Sequence, residues 1–310
     1  MPRLGNVFLE SMLDSTLINV DQGRLAVSTD GFVVQPYFFP GGNIGDLAIN
    51  GTVNDLLMSG ATPLFLTVSF ILEEGLPFEH LITIVEAMAD AAKSAQIQLI
   101  AGDTKVVEHG SADGLFITTT GIGSVPHEVQ WHPQTVKPGD QIIVSGNIGD
   151  HGASVLASRY EMDFDHTIQS DTCHLRDLVL SVRDLPGIRC MRDPTRGGLA
   201  TTLYELAQAS QLNYRIHESK LPIHESVRGL CEVLGLDPLY VANEGKLVAV
   251  VAPEDADTAL MRFRQFATGT NAMIIGEITD EFKGWPTLVT PIGASRILDL
   301  LSVEQLPRIC

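Results

Sequence analysis

The chain has 310 residues, with 20 basic and 38 acidic side chains and a formal net charge of −18. That balance excludes a nucleic-acid partner, since phosphate contact needs clustered Lys and Arg. An apolar share of 45% can build cores for about two domains, and no apolar run is long enough to span a membrane. The cysteines (Cys173, Cys190, Cys231, Cys310) are far apart and form no CxxC pair, so neither a disulfide framework nor zinc spacing is present. A cytoplasmic protein without a secretory leader is expected.

The first half alternates strands and helices. Short strands are predicted at 25–28 and 32–34. Apolar residues from Ile44 to Ser59 recur at helical spacing, and Pro63 stops the helix. The apolar run 64–71 predicts a buried strand, 78–95 an amphipathic helix, and 98–101 and 116–122 further strands. Pro126, Pro133 and Pro138-Gly139-Asp140 mark a boundary. The second half begins with a strand at 141–145. Helices follow at 151–160, 172–183, 198–210, 223–233 and 254–267, with strands at 214–217, 246–251, 272–278 and 286–290. The reading is α+β in two domains, 1–137 and 138–298, with 299–310 as a flexible tail.

No P-loop occurs. The informative features are acids placed where the chain is expected to turn. Ser28-Thr29-Asp30 and Gly102-Asp103-Thr104-Lys105 each end a predicted strand. Asn54-Asp55 sits in an otherwise apolar helix, and Arg192-Asp193-Pro194-Thr195-Arg196-Gly197-Gly198 leads into another. Magnesium takes oxygen ligands, so Asp30, Asp55 and Asp103 have suitable chemistry. Gly197 and Gly198 at a helix start suit phosphate oxygens. Each aspartate alone also fits a turn or a helix cap.

Asn243-Glu244-Gly245-Lys246 precedes the apolar run Leu247 to Val251. An acid at the mouth of a buried strand is placed for a raised pKa and a role as base, while a turn around Gly245 is the plain alternative. In Asp150-His151-Gly152, Asp150 reads as an N-cap and His151 as a surface residue. The chain ends Pro307-Arg308-Ile309-Cys310. A terminal thiol on such a tail can travel and carry a covalent group, while a chain that simply ends on Cys is the plain alternative. The terminal carboxylate disfavours its thiolate, and Arg308 partly offsets that.

Taken together these strings, with Phe38-Phe39-Pro40-Gly41-Gly42-Asn43-Ile44-Gly45, Gly51-Thr52-Val53-Asn54-Asp55, Ile71-Leu72-Glu73-Glu74-Gly75 and Gly149-Asp150-His151-Gly152, resemble the HypE family of hydrogenase-maturation proteins. That family belongs to the aminoimidazole-ribonucleotide-synthetase-like (PurM-like) ATP-binding superfamily. The resemblance runs from about residue 25 to the end, and the terminal Pro-Arg-Ile-Cys is its most specific part. The family's Gly-rich phosphate-binding segment ahead of the first helix has no counterpart at Met1-Pro2-Arg3-Leu4. Chemistry at the tail is therefore the firmer expectation than nucleotide affinity.

The resemblance implies a homodimer whose N-terminal sheets pair into a barrel, a C-terminal α/β sandwich, and ATP with Mg2+ in a cleft nearby. It implies ATP-dependent dehydration of an S-carbamoyl group on Cys310 to an enzyme thiocyanate, the source of cyanide ligands for nickel–iron hydrogenase. The carbamoyl group would come from the carbamoyltransferase HypF, and the cyano group would leave to an iron-carrying HypC–HypD complex. Asp30, Asp55, Asp103 and Asp193 would hold magnesium. Asn54, Thr104, Thr195, Gly197 and Gly198 would join them around the nucleotide. Glu244 would be the base, with Lys105 countering charge on oxygen or relaying a proton. Two alternatives stand beside this. One is another superfamily enzyme, such as a cyclo-ligase, a thiamine-phosphate kinase or a selenophosphate synthetase; no Cys precedes Cys173 to serve the last. The other is a non-catalytic, nucleotide-regulated scaffold.

Overall fold

The computed structural model describes residues 14–20, 23–160, 168–301 and 308–310. The chain opens with β1 (Thr16–Val20) and β2 (Gly23–Phe32), then a small ribbon of β3 (Phe38–Phe39) and β4 (Gly42–Asn43). Helix α1 (Ile44–Met58) follows, then β5 (Thr62–Glu73), α2 (Phe78–Ser94), β6 (Gln98–Val107) and β7 (Leu115–Val125). The first sheet has the order β1-β2-β7-β5-β6. It is antiparallel except for β5 and β6, which are parallel and joined through α2.

Helix α1 starts at a reciprocal cap. Asn43 accepts from Gly45 N, and Asp46 accepts from Asn43 N at 2.8 Å each. It is buried almost all round, because β2 and β7 cover one side while α2, α4 (Arg176–Val182) and β9 (Ile188–Arg192) press on others. Helix α2 is the opposite case. It buries only Ile84, Met88 and Ala92, spaced as one stripe, and leaves Phe78, Ile82 and Val85 exposed.

The second half runs β8 (Gln141–Val144), α3 (Asp150–Arg159), α4, β9, α5 (Gly198–Ser210) and β10 (Asn213–His217). It continues with α6 (Glu225–Leu234), β11 (Val248–Val251), α7 (Pro253–Phe263), β12 (Met273–Thr279), β13 (Thr287–Val289) and β14 (Ser295–Ile297). Their sheet has the order β14-β13-β10-β12-β8-β11-β9. Strand β11 is buried throughout because both faces of the sheet are covered. Val248 and Val250 face a core with Ile142, Leu203 and Tyr214, while Ala249 and Val251 face a second core shared with α1, α4 and α7. This accounts for an uninterrupted apolar run rather than an alternating one.

The mixed α+β reading holds, and several boundaries move. The two short strands expected at 25–28 and 32–34 are replaced by the single β2, which carries Asp30 and Gly31 inside it. Strand β5 is only partly buried, with Phe65 and Ile71 exposed, and β6 is exposed along nearly its whole length. The first sheet is open, with β1 and β6 at its edges, so the chain on its own forms no closed barrel among the described residues. The helix expected over 172–183 shortens to α4. The tail expectation also changes. Residues 302–307 lie outside the described residues, but the last three are docked, with Ile309 only 4% exposed.

Candidate active site

Three acids meet beside the first sheet. Asp55 comes from α1, Asp193 follows β9, and Asp14 precedes β1. Each offers a carboxylate oxygen, and these lie within 4.8 Å of one another. Ser28 Oγ donates to Asp55 at 2.5 Å, and Arg192 Nε donates to Asp14 at 2.8 Å. Arg192 also pairs with Glu205 at 2.6 Å, so its charge is shared. Burial and the neighbouring acids push Asp193 up to about 8 and Asp14 up to about 6, and hold Asp55 well above the usual carboxylate range. Acids crowded this way need protons or a cation between them. An oxygen-only donor set selects a hard divalent ion, so these residues fit Mg2+.

A cavity of about 200 Å3 adjoins the cluster. Of the residues expected from sequence, Asp30, Asp55, Asp193, Thr195, Glu244 and Cys310 all line it. Arg196 lines it too, and its charge works to lower the Cys310 pKa.

The loop carrying Glu244 is pinned from several sides. Asn243 Oδ1 accepts from Gly149 N at 2.7 Å, and its Nδ2 donates to Pro194 O at 2.9 Å. Asn54 Nδ2 donates to Glu244 O at 3.1 Å. Asp171 accepts from Glu244 N, Gly245 N and Lys246 Nζ at 3.1, 3.2 and 3.1 Å. Burial raises the Asp171 pKa, but the Lys246 charge, His151 and the hydrogen bonds from Glu244 N and Lys246 together outweigh it, and the carboxyl stays below the ordinary range. Glu244 is buried, and its Oε1 has no hydrogen-bond partner among the described residues. Burial, then Asp193, Asp171 and Asp30, hold its carboxyl well above the usual range. A proton acceptor of raised basicity thus faces the cavity.

The C-terminus enters the same cavity, with Arg308 in a turn at φ +56. Val33 N donates to Cys310 O at 3.1 Å, and Gln35 N donates to Arg308 O at 3.2 Å. Arg159 Nη2 donates to Gln35 O and Arg308 O at 2.7 and 2.8 Å. Arg308 pairs with Asp113, so its charge is engaged away from the thiol. Burial, with Glu244 and Asp30 nearby, pushes the Cys310 thiol up to about 12.

Other expected residues lie elsewhere. Asp103, Thr104 and Lys105 sit in β6, within a strand rather than at its end, and Lys105 pairs with Asp103 at 2.6 Å on the exposed surface. They do not reach the cavity of their own chain, and the acid cluster contains Asp14, Asp55 and Asp193, without the Asp30 and Asp103 that sequence suggested as ligands. Asn54 is fully buried and braces the chain, accepting from Leu175 N at 2.8 Å and donating to Cys173 O at 3.0 Å. Gly198 opens α5 at φ +61, where a Cβ would stand 2.6 Å from the carbonyl oxygens of Leu239 and Val241. Glycine there lets the helix start close behind Arg196. His151, expected at the surface, is fully buried. Sequence reasoning also missed Asp14, Arg196 and Asp171. Only Arg196 carried a signal, as a cation inside a string already singled out.

The geometry can be set beside known proteins. Residues 13–125 and 137–286 match the N- and C-terminal domains of AIR synthase related protein. The carbamoyl dehydratase HypE of Bradyrhizobium diazoefficiens is 49% identical over 99% of this chain and 89% of its own length. This chain belongs to the HypE carbamoyl dehydratase family. It is therefore an enzyme. A solved HypE–HypF complex superposes with a TM-score of 0.92 at 46% identity, covering 97% of each chain. A HypE structure in complex with ATP superposes with a TM-score of 0.90 at 42% identity, covering 100% of this chain and 93% of that one. No helix among the described residues is long and apolar enough to cross a membrane.

Proposed function

We propose that this HypE-family enzyme dehydrates an S-carbamoyl group on its own Cys310 to a thiocyanate, consuming ATP, and so supplies cyanide ligands for nickel–iron hydrogenase. The observation that carries this is the placement of Cys310 in one cavity with Glu244, Arg196, Asp55 and Asp193. A relative solved with ATP and another solved with HypF support the co-substrate and the carbamoyl donor. The cyano group would pass on to the HypC–HypD scaffold, in the cytoplasm.

Hydroxide is a poor leaving group, so the carboxamide oxygen must first be phosphorylated. That oxygen attacks the γ-phosphorus and ADP departs. The carbon–oxygen bond then breaks and inorganic phosphate leaves as the C≡N bond forms. Both N–H protons are lost along the way. Glu244, with a free Oε1 and raised basicity, takes one of them, and the departing phosphate carries off the other. Arg196 offsets negative charge developing on oxygen beside Cys310. Mg2+ held by Asp14, Asp55 and Asp193 would neutralise the triphosphate. Positioning and charge compensation dominate such a phosphoryl transfer. With its pKa near 12 the docked thiol is a poor nucleophile, so loading takes place with the tail swung out.

A homodimer forms part of this reading. Among the described residues strand β6 is an unpaired edge, and Leu99, Ile100 and Val106 along it are exposed. Pairing with a second copy would cover them and close a barrel from two sheets. Asp103, Thr104 and Lys105 would then lie at the seam, where Lys105 would serve a site only across the dimer.

Intact-mass analysis tests the reading. The protein is incubated with HypF and carbamoyl phosphate, and MgATP is then added, with Cys310→Ala alongside. A carbamoyl adduct on Cys310 that loses one water only with MgATP is expected. An adduct that never dehydrates favours the scaffold reading, and no adduct with active HypF overturns the carrier role.

A further inference from the structure

His151 has no part in the chemistry above, yet both of its ring nitrogens are committed. Nε2 lies 2.6 Å from Ile309 O, and Nδ1 lies 2.8 Å from Ser170 Oγ. A carbonyl only accepts, so Nε2 carries the proton. Thr172 N donates to Ser170 Oγ at 3.1 Å, so the Ser170 hydroxyl is free to donate its own proton to Nδ1. The chain Thr172 N–H to Ser170 O–H to His151 to Ile309 O therefore has a single consistent direction. Ser170 N is itself tied to Pro40 O at 2.8 Å, and Phe39 meets the imidazole edge-on at a centroid distance of 5.3 Å. Next along the chain, Asp171 holds the Glu244 loop.

We propose that His151 is the latch of the C-terminal tail, donating from Nε2 to the carbonyl that immediately precedes Cys310 and so selecting the docked state in which the cysteine faces Glu244. His151 is a positioning residue, and its dehydration arm rests on the reaction proposed above. Residues Ser170 and Asp171 then set the two partners of the reaction from adjacent positions, one through the latch and one through the base loop. Losing the donor shifts the tail outward. That shift exposes the thiol and slows dehydration, but leaves loading unimpaired, because loading uses the outward tail.

The test is the rate of Cys310 alkylation by iodoacetamide in the full-length protein, read on the C-terminal peptide. It needs neither ATP nor a carbamoyl donor, so it reports the latch even if the dehydratase reading fails. His151→Phe keeps the aromatic volume and removes the donor. Alkylation of Cys310 is expected to rise about tenfold, while Cys173, Cys190 and Cys231 react as in wild type. Single-turnover dehydration of the carbamoylated enzyme is expected to fall about tenfold with carbamoyl loading unchanged, and His151→Gln, which can donate again, to recover part of both. Ser170→Ala, which releases the tautomer, should move both rates the same way by less, and it decides the matter if His151→Phe does not fold. Wild-type alkylation of Cys310 in a folded variant overturns the latch, as does a general rise at all four cysteines.

Discussion

Asn54 donates to the main-chain carbonyl of Glu244 at 3.1 Å, so the helix that presents Asp55 to the acid cluster also fixes the loop that presents the base. The proposed metal ligand and the proposed base are thus set by neighbouring residues of one buried helix. Replacing Asn54 with Leu would strand Leu175 N–H and the carbonyls of Cys173 and Glu244. Each unpaired buried group costs about 1–3 kcal/mol. A clear drop in melting temperature is expected together with slower dehydration, and an unchanged melting curve would show that Asn54 braces nothing.

Glu244→Gln should separate stability from function. Dehydration should fall by about a hundredfold or more while carbamoyl loading persists. The burial that raises the Glu244 pKa gives stability that is full below the unfolded carboxylate pKa and is lost as pH rises through the folded value. Gln carries no such penalty. The variant should therefore gain melting temperature relative to wild type as pH increases. A gap that narrows with pH would mean that the carboxylate is stabilised in place.

Divalent ion should stabilise the fold through Asp14, Asp55 and Asp193. An ion at a hundred times its dissociation constant adds about 2.7 kcal/mol. Thermal unfolding with Mg2+ and after chelation should show this gain in wild type and lose most of it in Asp55→Asn. Equal gains in both proteins would place the ion elsewhere.

The latch has its own pH signature. Burial holds the His151 imidazole below its ordinary value, while the buried Asp171 carboxylate nearby works in the other direction. The unfolded chain takes up a proton near pH 6.5, earlier than the folded one does. Neutral His151 thus contributes fully above that pH and progressively less as pH falls toward the folded value. The melting-temperature gap between wild type and His151→Phe should shrink from about pH 7.5 to about pH 5.5. A constant gap would mean that the imidazole titrates as in the unfolded chain.

Much of the site was legible in sequence because its parts are short strings with unusual residues. The strings around Asp55, Asp193, Glu244 and Cys310 do converge on one cavity. What sequence could not supply was strand register and burial. The string Gly102-Asp103-Thr104-Lys105 has turn-like composition, yet it runs as the middle of an edge strand whose side chains meet solvent. Asp30 and Gly31 disfavour a strand locally, but pairing of β2 with β7 from Arg24 to Phe32 overrides that preference. A lone histidine has no periodicity, so nothing marked His151 as the donor to a tail more than 150 positions away in sequence. Asp14 had no motif around it and joins the cluster through the pairing of β1 with β2 and its own ion pair with Arg192.

The closest packing at the base loop gives the sharpest structural prediction. A Cβ added at Gly245 would stand 1.8 Å from Asp171 O and 2.6 Å from Cys173 Sγ. The first contact is with backbone, so rotamer change cannot relieve it, and the loop or the 170–173 segment must move. Either movement breaks the bonds from Asp171 to Glu244 N and Gly245 N. Gly245→Ala should therefore cost about 2 kcal/mol or more. It should also slow dehydration more than it slows loading of Cys310, since loading does not use Glu244. Matched single-turnover measurements of the two steps check this. Equal losses in both would mean that the damage spreads through the fold rather than displacing the base.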